Sequence, residues 1–357
     1  MKFTSEELID LVERASTLSE RLDYLGDRLS LQIDRKPSFP NHASTVEAQM
    51  QRWCQIVAKG DQETFEQRLG LEGLNPETAR QILTGVLLTQ PLPSWAHLLN
   101  EVMDVSAIAT ENPEVQRSLF AEEPVAFEAV FLPFLAVAQT TLRTQVGDAY
   151  YHLTPAAHTS LERILLARLV YPCSQSLELE FSLFRTKGQS DLDRLLGRLR
   201  GTPSNAQYQA FIQSLTAGRL RSFLQKYPVL ARLMAIALEF WLETTGEFLQ
   251  RLATDLPAIQ STFSTDADST DAEWGAVEAL HPSLSDPHHQ GRTVIGLQFA
   301  SGVRLIYKPR NIGLESAYFR LLDWFNNRIP DANLSFKVLK TLDRATMAGL
   351  NMCPTKL

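Results

Sequence analysis

Lys308 ends a strand-like run, Val303-Arg-Leu-Ile-Tyr-Lys308, and is followed by Pro309 and Arg310. Alternation sets Val303, Leu305 and Tyr307 on one face, and Arg304, Ile306 and Lys308 on the other. A lysine held on a strand supplies fixed positive charge, which kinases use to grip nucleotide phosphates. A lysine at a strand end is also, more plainly, a solvated charge. Glu315 follows seven residues later, at the start of a helical run. It could pair with the lysine, as helical glutamates do in kinases. The simpler reading is a first-turn acid favoured by the helix dipole.

A second group is Ser285-Asp286-Pro287-His288-His289-Gln290-Gly291-Arg292; three of the seven histidines fall between His281 and His289. Asp286 and His288 are two residues apart, so an extended segment turns them to the same side. A carboxylate beside an imidazole orients the ring and raises its pKa, which suits proton transfer. Asp and His are also metal ligands, so a metal hydrolase built on Asp286, His288 and His289 is conceivable. A polar loop entering a strand accounts for the same residues. The chain lacks Gly-x-x-x-x-Gly-Lys-Ser/Thr, Gly-x-Gly-x-x-Gly, Gly-x-Ser-x-Gly and His-Glu-x-x-His, so the common phosphate-loop, dinucleotide, hydrolase and zincin sites are not indicated.

Residues 1–261 read as mostly helical. Thr4 with Glu7 is a capping box opening a helix predicted to reach about Leu25. A helical zone follows over 46–70, and Asn75-Pro76 opens another. Gln90-Pro91-Leu92-Pro93 is a break, and Pro124 to Val146 is apolar enough to be buried. Thr154-Pro155 starts a helix that Pro172 should interrupt, and Pro228 starts one that should reach Pro257. Residues 262–276 include the acidic run Ser264 to Glu273 and read as a linker or exposed loop. Thr293–Phe299 and Val303–Lys308 are strand-like, with Ala300-Ser301-Gly302 as a hairpin turn. A helix is predicted over Leu314–Asn326, and another strand over Phe336–Leu342. The expected fold is mainly α with a smaller α+β part, the latter spanning 277–344 and followed by a tail, 345–357.

The net charge of -7 implies no basic surface for nucleic acid. Cys54, Cys173 and Cys353 are widely spaced and odd in number, which argues against a disulfide framework and for a reducing compartment. The richest apolar run, Val130 to Ala138, contains Pro133 and is too short to span a bilayer. The first residues carry no export signal. A cytoplasmic protein without membrane insertion is expected.

The run Leu284-Ser-Asp-Pro-His-His-Gln-Gly-Arg292, the hairpin and Leu305-Ile-Tyr-Lys-Pro-Arg310 resemble part of the LanM-type lanthionine synthetases, the type 2 lanthipeptide synthetases. Leu314-Glu-Ser-Ala-Tyr-Phe-Arg-Leu-Leu-Asp-Trp-Phe-Asn326 continues the likeness. So do Phe65 to Leu69, Leu177 to Phe184 and Tyr227 to Leu233 upstream. The resemblance implies a dehydratase region resembling a lipid kinase decorated with helices, here with part of the kinase-like amino-terminal lobe. Such enzymes bind a precursor peptide through its leader. With ATP and Mg²⁺ they phosphorylate Ser and Thr of its core, then eliminate phosphate to leave dehydroamino acids. A separate cyclase domain, which has no counterpart here, holds the family's zinc.

By this resemblance Lys308 is the phosphate-gripping lysine, and Asp286 and His288 are the pair associated with elimination. Gly291, Arg292, Arg310 and Glu315 flank these motifs as further nucleotide-site candidates. No metal ligand is assigned. The 49 residues after Lys308 hold no second-lobe constellation for Mg²⁺ and the hydroxyl. The implied reading is a dehydratase fragment, inactive alone unless a separately encoded remainder completes it. The alternative is a non-enzymatic helical peptide-binding or scaffold protein. From Ala345 the residues leave the family pattern, Tyr-x-Gly-Trp-x-Glu-Phe/Tyr-Val. Codons shifted by one base can restore it, so a frameshift near Ala345 is expected, and the nucleotide sequence tests it.

Overall fold

A computed structural model describes residues 2–30, 43–84, 91–109, 125–187, 205–264, 274–329 and 334–343. The central part of the acidic stretch (265–273), Gln90, Cys353 and the whole 345–357 tail lie outside these residues. In chain order the helices are α1 (Ser5–Ala15), α2 (Leu18–Ser30), α3 (Ala43–Ala58), α4 (Gln62–Leu71), α5 (Pro76–Thr84) and α6 (Ser94–Ala109). Then come α7 (Glu128–Val146), α8 (Pro155–Lys187), α9 (Asn205–Ser214), α10 (Leu220–Lys226) and α11 (Pro228–Phe263). Strands β1 (Val277–His281), β2 (Ile295–Phe299) and β3 (Arg304–Tyr307) follow, and then α12 (Gly313–Asn326). The fold is mainly α with a smaller α+β part. It divides into two compact units, residues 1–112 with 204–235, and 113–203 with 236–357.

In the first unit, α1 opens with the expected capping box: Glu7 N donates to Thr4 Oγ1 at 3.3 Å and Thr4 N to Glu7 Oε2 at 2.8 Å. The helix ends at Ala15, short of Leu25. A second box explains the difference. Thr17 N donates to Glu20 Oε2 at 2.7 Å and Glu20 N to Thr17 Oγ1 at 3.3 Å, which restarts the chain as α2. Asp61 and Asn75 cap α4 and α5 through Thr64 N (2.7 Å) and Thr78 N (2.9 Å). Met50, Cys54, Phe65, Leu69, Ala79 and Ile82 form the core between α3, α4 and α5. Two ion pairs, Glu7–Arg221 and Glu20–Arg232, fasten α1 and α2 to residues of α10 and α11 in the same unit.

In the second unit, α8 runs through Pro172 instead of stopping there. Proline removes one backbone donor and crowds the preceding turn, a cost of about 3 kcal/mol. Leu165, Leu166, Leu169, Cys173 and Leu177 are almost fully buried on either side of it. Burial of several large side chains, each worth about 1.5–3 kcal/mol, outweighs that cost. Helix α11 likewise passes through Pro257 to Phe263. Trp241 Nε1 on α11 donates to Leu161 O on α8 at 3.0 Å. His158 is buried beneath Tyr150, stacked at 3.9 Å, and burial lowers its pKa.

The three strands form an antiparallel sheet in the order β1-β2-β3. Thr154 N donates to Val277 O at 3.0 Å and docks β1 on the start of α8. The β2-β3 hairpin turns where expected, at Gly302 with φ +86°. Alternation on β3 also holds: Leu305 and Tyr307 are buried, and Arg304 is exposed. The Phe336–Leu342 segment is not a strand. Its main chain is held by a side chain instead: Asn326 Nδ2 donates to Phe336 O at 2.8 Å, and Phe336 N to Asn326 Oδ1 at 2.7 Å. Among the described residues, no helix is long and apolar enough to cross a membrane.

Candidate functional site

Strand β3 delivers Lys308 at its end, and Pro309 to Ile312 turn the chain into α12. Lys308 Nζ donates to Glu315 Oε1 at 3.0 Å, with both side chains about a third exposed. Arg310 Nη2 donates to the same oxygen at 3.0 Å. Glu315 is thus more than a first-turn acid: it holds the strand lysine from the first turn of the helix. Its other oxygen, Oε2, is buried without a partner among the described residues, as is Asp343 Oδ1. Asp343 lies at the same end of α12, where a Cβ on Gly313 would come within 3.4 Å of its Oδ2.

The β1–β2 loop carries Asp286 and His288. Both side chains are exposed, and neither has a hydrogen-bond partner among the described residues. The loop backbone, by contrast, is tightly fixed. His288 pairs with Arg292 across a turn, His288 N to Arg292 O at 3.0 Å and Arg292 N to His288 O at 2.8 Å. His289, Gln290 and Gly291 have φ of 42°, 68° and 100°. Left-handed conformations at non-glycine residues are strained, and such strain clusters at functional sites. Asp286, His288 and His289 do not gather as a metal site; among the described residues no group of three acidic, His or Cys side chains does so.

Arg292 anchors this loop to α11. Its Nε and Nη2 donate to Glu247 Oε2 at 2.8 and 2.5 Å, and Nη2 also to Glu243 at 2.9 Å. Burial works against the Arg292 charge, but the bonds to Glu243 and Glu247 outweigh it and hold its pKa above the ordinary guanidinium value. Glu247 also receives Arg251, which donates to Tyr307 Oη at 3.1 Å. Burial raises the Tyr307 pKa against the pull of Arg251. On the other side, Arg168 Nη2 from α8 donates to Gly291 O at 2.9 Å.

The structure therefore gathers Lys308, Arg310 and Glu315 into one cluster. It places Gly291 and Arg292 in another, against α8 and α11. Lys308 and Tyr307 occupy opposite faces of β3, so only Tyr307 joins the second cluster. Arg168, Glu243, Glu247 and Arg251 escaped the sequence reading. Glu243, Glu247 and Arg251 repeat every four residues, a spacing that places them on one helical face. Nothing in the sequence around Arg168 marks it.

Residues 227–348 match the family described as a domain of unknown function, DUF4135. That domain is found in lanthipeptide synthetases. The matched segment contains Asp286, His288, Arg292, Lys308, Arg310 and Glu315. No curated protein matches the chain.

Proposed function

We propose that this chain is part of a LanM-type lanthipeptide dehydratase, which phosphorylates Ser and Thr of a precursor peptide and then eliminates phosphate. The carrying observation is the 3.0 Å Lys308–Glu315 pair between a strand end and the following helix. A strand lysine held by a helical glutamate is how kinases set the charge that meets nucleotide phosphates. The order β1, loop, β2, β3 with Lys308, then α12 with Glu315 supports the same kinase-like lobe. The DUF4135 match across this segment supports the family.

The residues fit ATP and Mg²⁺. Lys308 and Arg310 would meet the phosphates. Glu315 Oε2 and Asp343 Oδ1, which have no partner among the described residues, are the acceptors that would be offered to a Mg²⁺. Bound ATP supplies the phosphoryl group. Glu315 holds the Lys308 ammonium in place, so less side-chain freedom is lost when an anion arrives. In this reading the exposed His288 would move the proton that elimination requires at an imidazole nitrogen, with Asp286 two residues away. Helix α12 leaves Leu314, Tyr318, Leu321 and Trp324 half or more exposed, or nearly so. Such an apolar face suits packing against the remainder of a synthetase, encoded with or apart from this chain.

The test is a titration of the purified chain with a fluorescent ATP analogue and Mg²⁺. A parallel incubation with a lanthipeptide precursor and ATP is read by mass spectrometry for added phosphate or lost water. Saturable nucleotide binding that Lys308→Ala abolishes and Glu315→Gln weakens about tenfold is expected, each charged contact being worth about 1.5–3 kcal/mol. Binding of precursor without any nucleotide binding would favour the helical peptide-binding alternative and overturn the dehydratase reading.

A further inference from the structure

The sheet face opposite Lys308 holds a pocket of about 500 Å³, part of it open to solvent. Arg168 of α8, Thr244, Thr245 and Glu247 of α11, and Gly291 and Arg292 of the loop line it. Arg168 is half-buried, and its one partner among the described residues is the neutral carbonyl of Gly291. Among the described residues no carboxylate answers it, and burial alone lowers its pKa. A guanidinium taken from water without a counter-ion is costly. The nearby acids are already committed. Both oxygens of Glu247 accept from Arg292 and Arg251, and Glu243 accepts from Arg292. Of the residues lining the pocket, two guanidiniums, Arg168 and Arg292, thus face one carboxylate, Glu247, leaving one positive charge in excess.

Thr245 supplies a second, independent sign. It is only 5% exposed, and its hydroxyl has no hydrogen-bond partner among the described residues. Its neighbour Thr244 instead donates back to Phe240 O at 2.8 Å within the helix. The Thr245 oxygen is not sealed from solvent, so it opens to the pocket, where an anion can accept its hydrogen bond. Arg168 and Thr245 come from different helices and line one small space.

We propose that this pocket binds a small phosphate-type oxyanion, gripped by the Arg168 guanidinium and accepting a hydrogen bond from the Thr245 hydroxyl. The forked guanidinium matches phosphate oxygens, and charge-assisted bonds are the stronger kind. The site is separate from the Lys308 cluster and does not depend on nucleotide binding there.

The experiment is calorimetric titration of the full chain at constant ionic strength with inorganic phosphate, O-phosphoserine and acetate. The wild type is compared with Arg168→Met and the isosteric Thr245→Val, and circular dichroism verifies each fold. Saturable phosphate or phosphoserine binding is expected, lost in Arg168→Met and weakened about tenfold in Thr245→Val. The tighter of the two names the source, a free ion or a phosphorylated side chain. If Arg168→Met does not fold, Thr245→Val decides alone. Absence of saturable binding, acetate binding as tight as phosphate, or Thr245→Val binding as tightly as wild type overturns the proposal.

Discussion

Gly291→Ala is the sharpest probe of how the Asp286–His288 loop is held. Gly291 has φ +100°, and a Cβ there would lie 2.5 Å from Arg168 Nη1 and 3.0 Å from its Cζ. Two costs follow. The backbone conformation is strained for any L side chain, about 1–3 kcal/mol. The guanidinium must also swing away and forfeit its 2.9 Å bond to Gly291 O, about 1.5–3 kcal/mol for a charged hydrogen bond. The sum is about 4 kcal/mol. A double-mutant cycle separates the parts. In an Arg168→Ala background the obstructing atoms are gone and the bond is already lost, so Gly291→Ala should cost only the backbone strain. The expected coupling is about 1.5–3 kcal/mol, measured by urea denaturation monitored through tryptophan fluorescence. Costs that add to within about 0.5 kcal/mol would show that the two residues do not act on each other.

Three further outcomes are expected. Hydrogen bonds from Arg221 and Arg232 lower the carboxyl pKa values of Glu7 and Glu20 from 4.5 to about 2. Both folded values are depressed, so their stabilisation is complete above the unfolded pKa and fades as pH falls from about 5 toward 2. The melting temperature should drop through that window and drop less in Glu7→Gln with Glu20→Gln; equal slopes would refute this. Burial pushes the Cys173 thiol up to about 12, so iodoacetamide at mildly alkaline pH should leave it unmodified until the chain is denatured. Alkylation of native protein at Cys173, read by peptide mass spectrometry, counts against it. Thr17→Ala removes the cap that restarts the chain as α2 and should cost about 1 kcal/mol in urea midpoint measurements. An unchanged midpoint would mean that tertiary contacts alone set that boundary.

Much of the local structure was legible in the residues themselves. Thr4 with Glu7, Asn75-Pro76, Thr154-Pro155 and Ala300-Ser301-Gly302 are short-range signals, each satisfied by hydrogen bonds or dihedrals within a few residues. The alternation that turns Lys308 away from Leu305 and Tyr307 is equally local. Helix lengths were not legible at Pro172 and Pro257, because there burial against other helices outweighs a local penalty. Strand β1 was hidden as well. A register shift between Val277 and Ala279 places its buried residues, Val277 and Leu280, three apart and erases the two-residue period. At the site, residue types and spacing pointed to Asp286, His288 and Lys308, and left Glu315 divided between a helix-dipole acid and a lysine partner. Only the packed structure decided for the pair, and only it joined Arg168, 123 residues away in sequence, to Gly291. A contact between distant segments leaves no periodic trace, since it depends on where α8 and the sheet come to rest.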